Sequence, residues 1–171
     1  MKSEEILSWW FLVEPLPKES ISHFLGRFRR ENEITITMMG KITGLGSAVA
    51  RWEKFRFIPA LTQKDLKAMS EVVQVEVERL SKMFPPKGMG MKLEPIRLCA
   101  ACYTESPCHK IDWQLKTTQF CFQHSLTLLA ECPNCGARFK IPSQWVNGCC
   151  HRCFTAFGEM VKWQKNIVSK T

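Results

Sequence analysis

The chain has 171 residues, a formal net charge of +8 and nine cysteines, and 45% of it is hydrophobic. That length suits one domain or two small ones. It has no run approaching ~18 apolar residues, which excludes a membrane-spanning helix. Glu4 and Glu5 stand where a secretory leader needs positive charge, so the expected compartment is the cytosol. Cysteines held in a reducing compartment bind metal rather than form disulfides.

Residues 1–14 read as an aromatic arm. The stretch Ile6-Leu7-Ser8-Trp9-Trp10-Phe11-Leu12-Val13 is either an edge strand packed on the body or an arm that docks on a partner. Adjacent strand residues face opposite sides, so Trp9 and Trp10 cannot both enter one small core. Either is a candidate anchor in a partner's pocket.

Residues 15–86 read as a helical domain. Ser20 caps a helix to about Asn32, with Ile21, Phe24, Leu25 and Phe28 as its buried stripe. Arg27, Arg29 and Arg30 lie on other faces, and His23 is expected at the surface. A second helix spans about Thr35 to Gly44, with Met38, Met39 and Ile42 inward. Ser47 opens a third, through Trp52 and towards Phe55. Residues 51–57 interleave aromatic and basic side chains. Core aromatics with cations snorkelling from them are favoured over a base-stacking surface. Arg27, Arg30, Arg51, Trp52, Lys54 and Arg56 join the two tryptophans as candidate partner contacts.

Thr62-x-x-Asp65 is a capping pattern. Leu66, Met69 and Val73, then Val77, Leu80 and Phe84, give two short helices with a turn near Val73–Gln74, closed by Pro85-Pro86. This is a helix-turn-helix shape. Glu76 and Glu78 occupy the end where a DNA-reading helix meets bases and phosphates, and residues 61–84 carry no net charge. The pair is therefore expected to dock protein rather than read a DNA sequence. Residues 87–95 form a linker.

Beyond it stand four paired-ligand knuckles: Cys99-x-x-Cys102, Cys121-x-x-His124, Cys132-x-x-Cys135 and Cys150-x-x-Cys153. Zinc takes four ligands in a tetrahedron, so eight donors make two closed structural sites. The histidine favours zinc over an iron–sulfur cluster. Sequential pairing gives two tandem modules, 96–131 and 132–155. Cross-brace pairing joins the first knuckle to the third and the second to the fourth. The seven residues between His124 and Cys132 permit either. Cys149 could replace Cys150 as a ligand, while Cys108 reads as a spare thiol. Gly136 permits the left-handed turn that a knuckle needs. Ile111, Trp113 and Leu115 alternate as in a strand, and Arg138 to Pro142 reads as a second one. Residues 156–171 read as a basic helix or tail, and 132–171 together carry +5. The expected fold is mainly α with small α+β zinc modules: a helix-turn-helix lobe, then two tandem zinc ribbons or fingers. Full ligand sets leave no open metal position, no phosphate-binding glycine loop is present, and Asp65 and Asp112 are the sole aspartates. An enzyme is not expected.

Leu98-Cys99-Ala100-Ala101-Cys102, Trp113-Gln114-Leu115 and Cys121-x-x-His124-x-x-x-Leu128-x-x-x-Cys132-Pro133-x-Cys135-Gly136 resemble the hallmark of the TniQ family, the target-selection adaptors of bacterial transposons. Pro17, Ser20, Phe24, Leu25 and Arg27 resemble its opening helix. The chain stops soon after the last knuckle, which resembles the minimal form found with type V-K CRISPR-associated transposons. The resemblance implies a bacterial adaptor in the cytosol or nucleoid, joining the AAA+ protein TnsC to a CRISPR effector with its guide RNA. It also implies zinc at the eight positions above, a host small-subunit ribosomal protein nearby, and contact with a DNA or RNA backbone. The competing expectation is a free-standing zinc-binding, helix-turn-helix regulator of DNA.

Overall fold

Ser20 begins the first helix because its side chain accepts a hydrogen bond from the His23 amide, which an intrahelical carbonyl cannot reach. The computed structural model describes residues 10–167, and in it this helix, α1 (Ile21–Glu31), is the axis of the molecule. Thr35 caps α2 (Ile36–Thr43) in the same way, and left-handed Gly44 ends it. Next come α3 (Ala48–Glu53), α4 (Gln63–Val73) and α5 (Val77–Ser81). Thr62 and Asp65 form a reciprocal capping box at the start of α4, and Gln74, at φ 54°, turns the chain into α5. Ile21, Phe24, Phe28, Met39, Met69 and Leu80 are among the side chains of the core these helices enclose.

Several sequence expectations shift here. Met38 is 48% exposed, because the face of α2 that packs inward is Met39, Gly40 and Thr43, one position around the helix. Ser47 makes no capping hydrogen bond. Trp52 is 3% exposed and stands edge-on to Phe84, so it packs in the core. His23 is also 3% exposed. It is drawn inward by the fully covered carboxylate of Glu19, one helical turn back, to which its Nδ1 is bonded. Trp10 packs half-buried against Phe28, and Phe11 exchanges hydrogen bonds with Asn32 rather than with a strand. Trp9 lies outside the described residues.

Among the described residues the second half holds α6 (Ala100–Glu105), a hairpin of β1 (Phe120–Cys121) and β2 (Leu126–Thr127), and three short 3-10 turns. Phe120 pairs with Thr127 and Cys121 with Leu126. The strand expected at residues 111–115 is instead the 3-10 turn Ile111–Gln114. Alternation misleads there because Gln114 is as buried as Ile111 and Trp113. Its amide donates to the Lys92 and Pro95 carbonyls, and its oxygen accepts from the Arg97 amide. Arg138 makes a single bridge to Glu131 and no strand, and Pro142 then opens the 3-10 turn Pro142–Gln144. The C-terminal segment is a 3-10 turn, Gly158–Trp163, with Met160 buried. Leu98, Trp113, Phe139, Trp145, Phe157 and Met160 build the second core with the cysteines. No helix among the described residues is long and apolar enough to cross a membrane.

The halves interlock along α1. Gly26 lies so close to the Pro142–Gln144 turn that a Cβ there would fall 2.3 Å from the Ser143 carbonyl oxygen. The Ser22 hydroxyl donates to the Glu53 carbonyl (2.6 Å) and accepts from the Ser143 amide (3.1 Å). The Arg30 guanidinium donates to the Ser143 and Trp145 carbonyls at 2.6 and 3.2 Å. Ser20 donates its amide to the His109 carbonyl. The His109 ring lies beneath Trp113 and Trp145, and its burial pushes the imidazole well below its ordinary pKa. Phe57 packs against both cores.

Candidate metal centres

Three of the four knuckles share one backbone design. In Cys132-x-x-Cys135, Gly136 turns left-handed at φ 71°, and the Cys132 amide donates to the Ala137 carbonyl at 2.8 Å. In Cys150-x-x-Cys153, Phe154 takes the turn at φ 61°, and the Cys150 amide donates to the Thr155 carbonyl at 2.9 Å. In Cys121-x-x-His124, Ser125 takes it at φ 52°, and Cys121 pairs with Leu126. Each ligand pair is thus pinned across a tight turn whose fifth residue needs positive φ. Only Gly136 advertises that need in the sequence. The remaining knuckle differs: Cys99 stands at the head of α6, and Cys102 follows within its first turn.

These knuckles pair sequentially. Cys99, Cys102, Cys121 and His124 form one group and Cys132, Cys135, Cys150 and Cys153 the other, each with its donor atoms within 4.8 Å of one another. Cys149 lies outside both groups. Zinc bonded at its usual lengths in a tetrahedron places sulfurs about 3.8 Å apart, and sulfur and nitrogen about 3.6 Å apart. The Cys102–Cys121 sulfurs are 3.4 Å apart, and His124 Nδ1 stands 3.3, 3.6 and 3.9 Å from Cys102, Cys121 and Cys99. In the second group Cys132–Cys153 and Cys135–Cys150 are both 3.6 Å apart. Both sets fit a tetrahedral ion, and the donors suit zinc. When bound, the metal would supply cohesion, since no donor position is left for a substrate.

Within each set the thiols are shifted in opposite directions. The hydrogen bond from Cys102 draws Cys99 down to about 5, and that from the Thr155 hydroxyl draws Cys153 down to about 5. Burial pushes Cys132 up to about 12. Thr155 is in turn held by the Asn134 amide at 2.9 Å. Gln164 accepts from the Ala100 and Ala101 amides at the head of α6, and its own amide donates to the Thr127 carbonyl. It thereby ties the C-terminal turn to both knuckles of the first group.

Sequence reasoning missed Glu105. Its carboxylate receives His124 Nε2 at 2.8 Å and the Gln123 amide at 2.6 Å. The bond raises the pKa of His124 and lowers that of Glu105. It also fixes the ring with Nδ1 aimed at the three sulfurs, as carboxylates behind metal-bound histidines do. A Cys-x-x-Cys followed three residues later by an acid was the available signal. Glu105→Gln is expected to weaken metal at the first set by about 10- to 100-fold, measured by competition with a chromophoric chelator. The second set should be unchanged in the same titration.

Of the other candidates, Arg51, Lys54 and Arg56 share one patch. Arg27 donates to the Glu14 carbonyl and Glu19 carboxylate, and Arg30 is spent on the seam with the Pro142–Gln144 turn. Arg51 bonds the Ser47 hydroxyl, while Lys54 and Arg56 are exposed. Cys108 is buried, and its thiol is pushed up to about 11 by that burial. Such a group is a poor nucleophile. The model of the TniQ family matches residues 10–128, well over half of the chain. The match takes in the whole first ligand set and ends before the second. No curated protein matches the chain.

Proposed function

The chain belongs to the TniQ family, a transposition-associated family, and from that premise we propose that it is a non-catalytic adaptor in RNA-guided DNA transposition. In this reading it joins the AAA+ regulator TnsC to a CRISPR effector carrying its guide RNA, in the bacterial cytosol or nucleoid. The family match carries the proposal. Two complete four-donor sets support it, since such sites brace a fold rather than bind substrate. The interlock along α1 supports it too, because an adaptor must hold its separate contact surfaces in fixed relation.

The charge of the α4–α5 pair favours the adaptor over a free-standing DNA reader. Glu76 precedes α5 and Glu78 lies in its first turn, both exposed. A helix end presented to phosphates would be repelled there. α5 is also only five residues long, short for an element that must lie along a major groove.

The test is co-purification. The zinc-loaded chain is mixed with TnsC and with the guide-loaded effector on target DNA, with and without ATP. Retention of all three in one complex is the expected result, with TnsC joining only when ATP is present. Tight binding of the chain alone to one duplex sequence, with no association with TnsC, would instead establish the regulator.

A further inference from the structure

Two adjoining cavities of about 650 and 630 Å³ share Phe57, Pro85 and Met89 and make one groove. Ile58, Met91 and Leu93 line one end. Leu61, Leu66 and Phe84 line the other. Ile58 is 87% exposed, and Leu93 and Met89 are also uncovered. Such side chains in a single trough form an apolar patch of the kind that marks an interaction site.

The rim is cationic. Arg51, Arg56 and Lys116 border the first cavity and Lys87 the second, and no acidic residue lines either. Lys54 extends the basic edge beside Arg51 and Arg56. None of these five cations has a carboxylate within ion-pair distance among the described residues. By contrast Arg27, Arg29 and Arg79 all do.

Both walls are already in place. One is the segment leaving α3, held by the buried Phe55. The other is the stretch after Pro86, pinned by the Met91–Leu115 bridge and by the Lys116 amide donating to the Gly90 carbonyl at 2.9 Å. Methionines in such a trough adapt to varied apolar side chains.

We propose that this groove binds an apolar peptide segment of a partner protein that carries acidic residues at its edges. Apolar side chains of the peptide enter the trough and its carboxylates meet the five cations. A single-stranded nucleic acid fits less well. Bases stack on open aromatic faces, whereas Phe55 is buried and Phe57 is half-buried with its ring edge-to-face against Phe84. The exposed apolar lining, Ile58, Met89 and Leu93, offers no stacking platform. The inference stands on the groove alone and not on the family reading.

The test is selection from a random peptide library displayed on phage, against the intact zinc-loaded chain. Enriched peptides are expected to combine apolar residues with Asp or Glu. Ile58→Asp, and separately Arg56→Glu with Lys116→Glu, should weaken a selected peptide by about tenfold or more. All three positions are exposed, so unchanged melting and metal content verify the fold of each variant. A Glu→Lys version of the peptide should recover affinity on the charge-reversed chain. Enrichment of basic or acid-free peptides, no enrichment, or affinities that ignore these substitutions would overturn the proposal. So would a single-stranded oligoribonucleotide that displaces the peptide and loses its own affinity in Ile58→Asp.

Discussion

Replacing Gly26 with alanine is expected to destabilise the protein by about 3 kcal/mol, the cost of forcing an atom into closed packing. The added Cβ would lie 2.3 Å from the Ser143 oxygen and 2.6 Å from its Cα, and both are backbone atoms. A flexible side chain could swing aside, but here α1 and the Pro142–Gln144 turn must part. Parting them breaks the Ser143–Ser22 hydrogen bond and both bonds from Arg30. For a chain of this length the midpoint of thermal unfolding should fall by roughly 10 °C. Arg30→Ala, which removes the bonds and leaves the space, should cost about 2 kcal/mol. Neither change touches a metal ligand, so both variants should keep their full metal complement at low temperature. An alanine variant that melts like the parent would mean that the halves are not in van der Waals contact at this point.

The second large effect concerns neighbouring cysteines. Cys150→Ser removes one of four donors from the second set. A structural zinc site contributes on the order of 10–16 kcal/mol in apparent binding free energy, and the loss of one thiolate forfeits several of these. Apart from the ion, the region from Cys132 to Thr155 is held by the second core and by the bonds of Ser143 and Trp145 to α1. Cys132, Cys135 and Cys153 would face a weakened ion, while Phe139, Trp145 and Phe157 depend on the turns those ligands fix. Cys149→Ser should be nearly silent, within about 0.5 kcal/mol. The Cys149 thiol belongs to neither set, and its residue bridges Ala156 through the backbone. The pair is measured by metal content and by thermal melting of each variant. Equal loss in both would show that the two cysteines share the ligand role.

The contrast between these two regions explains what was legible in the sequence. α1 announces itself through Ser20 and the spacing of Ile21, Phe24, Leu25 and Phe28, and α4 through Thr62 and Asp65. Those signals are local, so neighbours in the chain suffice to read them. The eight donors are equally plain, because two-residue loops between ligands have few other uses. Their grouping was not plain, since the seven residues after His124 can turn either way, and only the positions of the sulfurs decide it.

What failed in the reading depends on distant partners. Arg30 looks like a surface cation until the Ser143 and Trp145 carbonyls, more than a hundred residues on, take up its hydrogen bonds. His23 looks exposed until Glu19 and Trp145 close around it. Gln114 breaks the apparent alternation of Ile111, Trp113 and Leu115 because it replaces missing backbone partners in a short turn. A module braced by metal needs little sheet to cohere, so two-residue periodicity was a weak guide there. In 51–57 the preference for core over a stacking surface holds for Trp52 and Phe55, which are buried, and the flanking Arg51 and Arg56 border the groove instead.

The most direct measurement is the metal content of the full chain purified under reducing conditions, followed by its unfolding in excess chelator. Two zinc ions per chain are expected, with stripping of both accompanied by cooperative loss of the structure around Leu98, Trp113 and Trp145. A metal-free protein that melts at the same temperature with and without chelator would contradict the account.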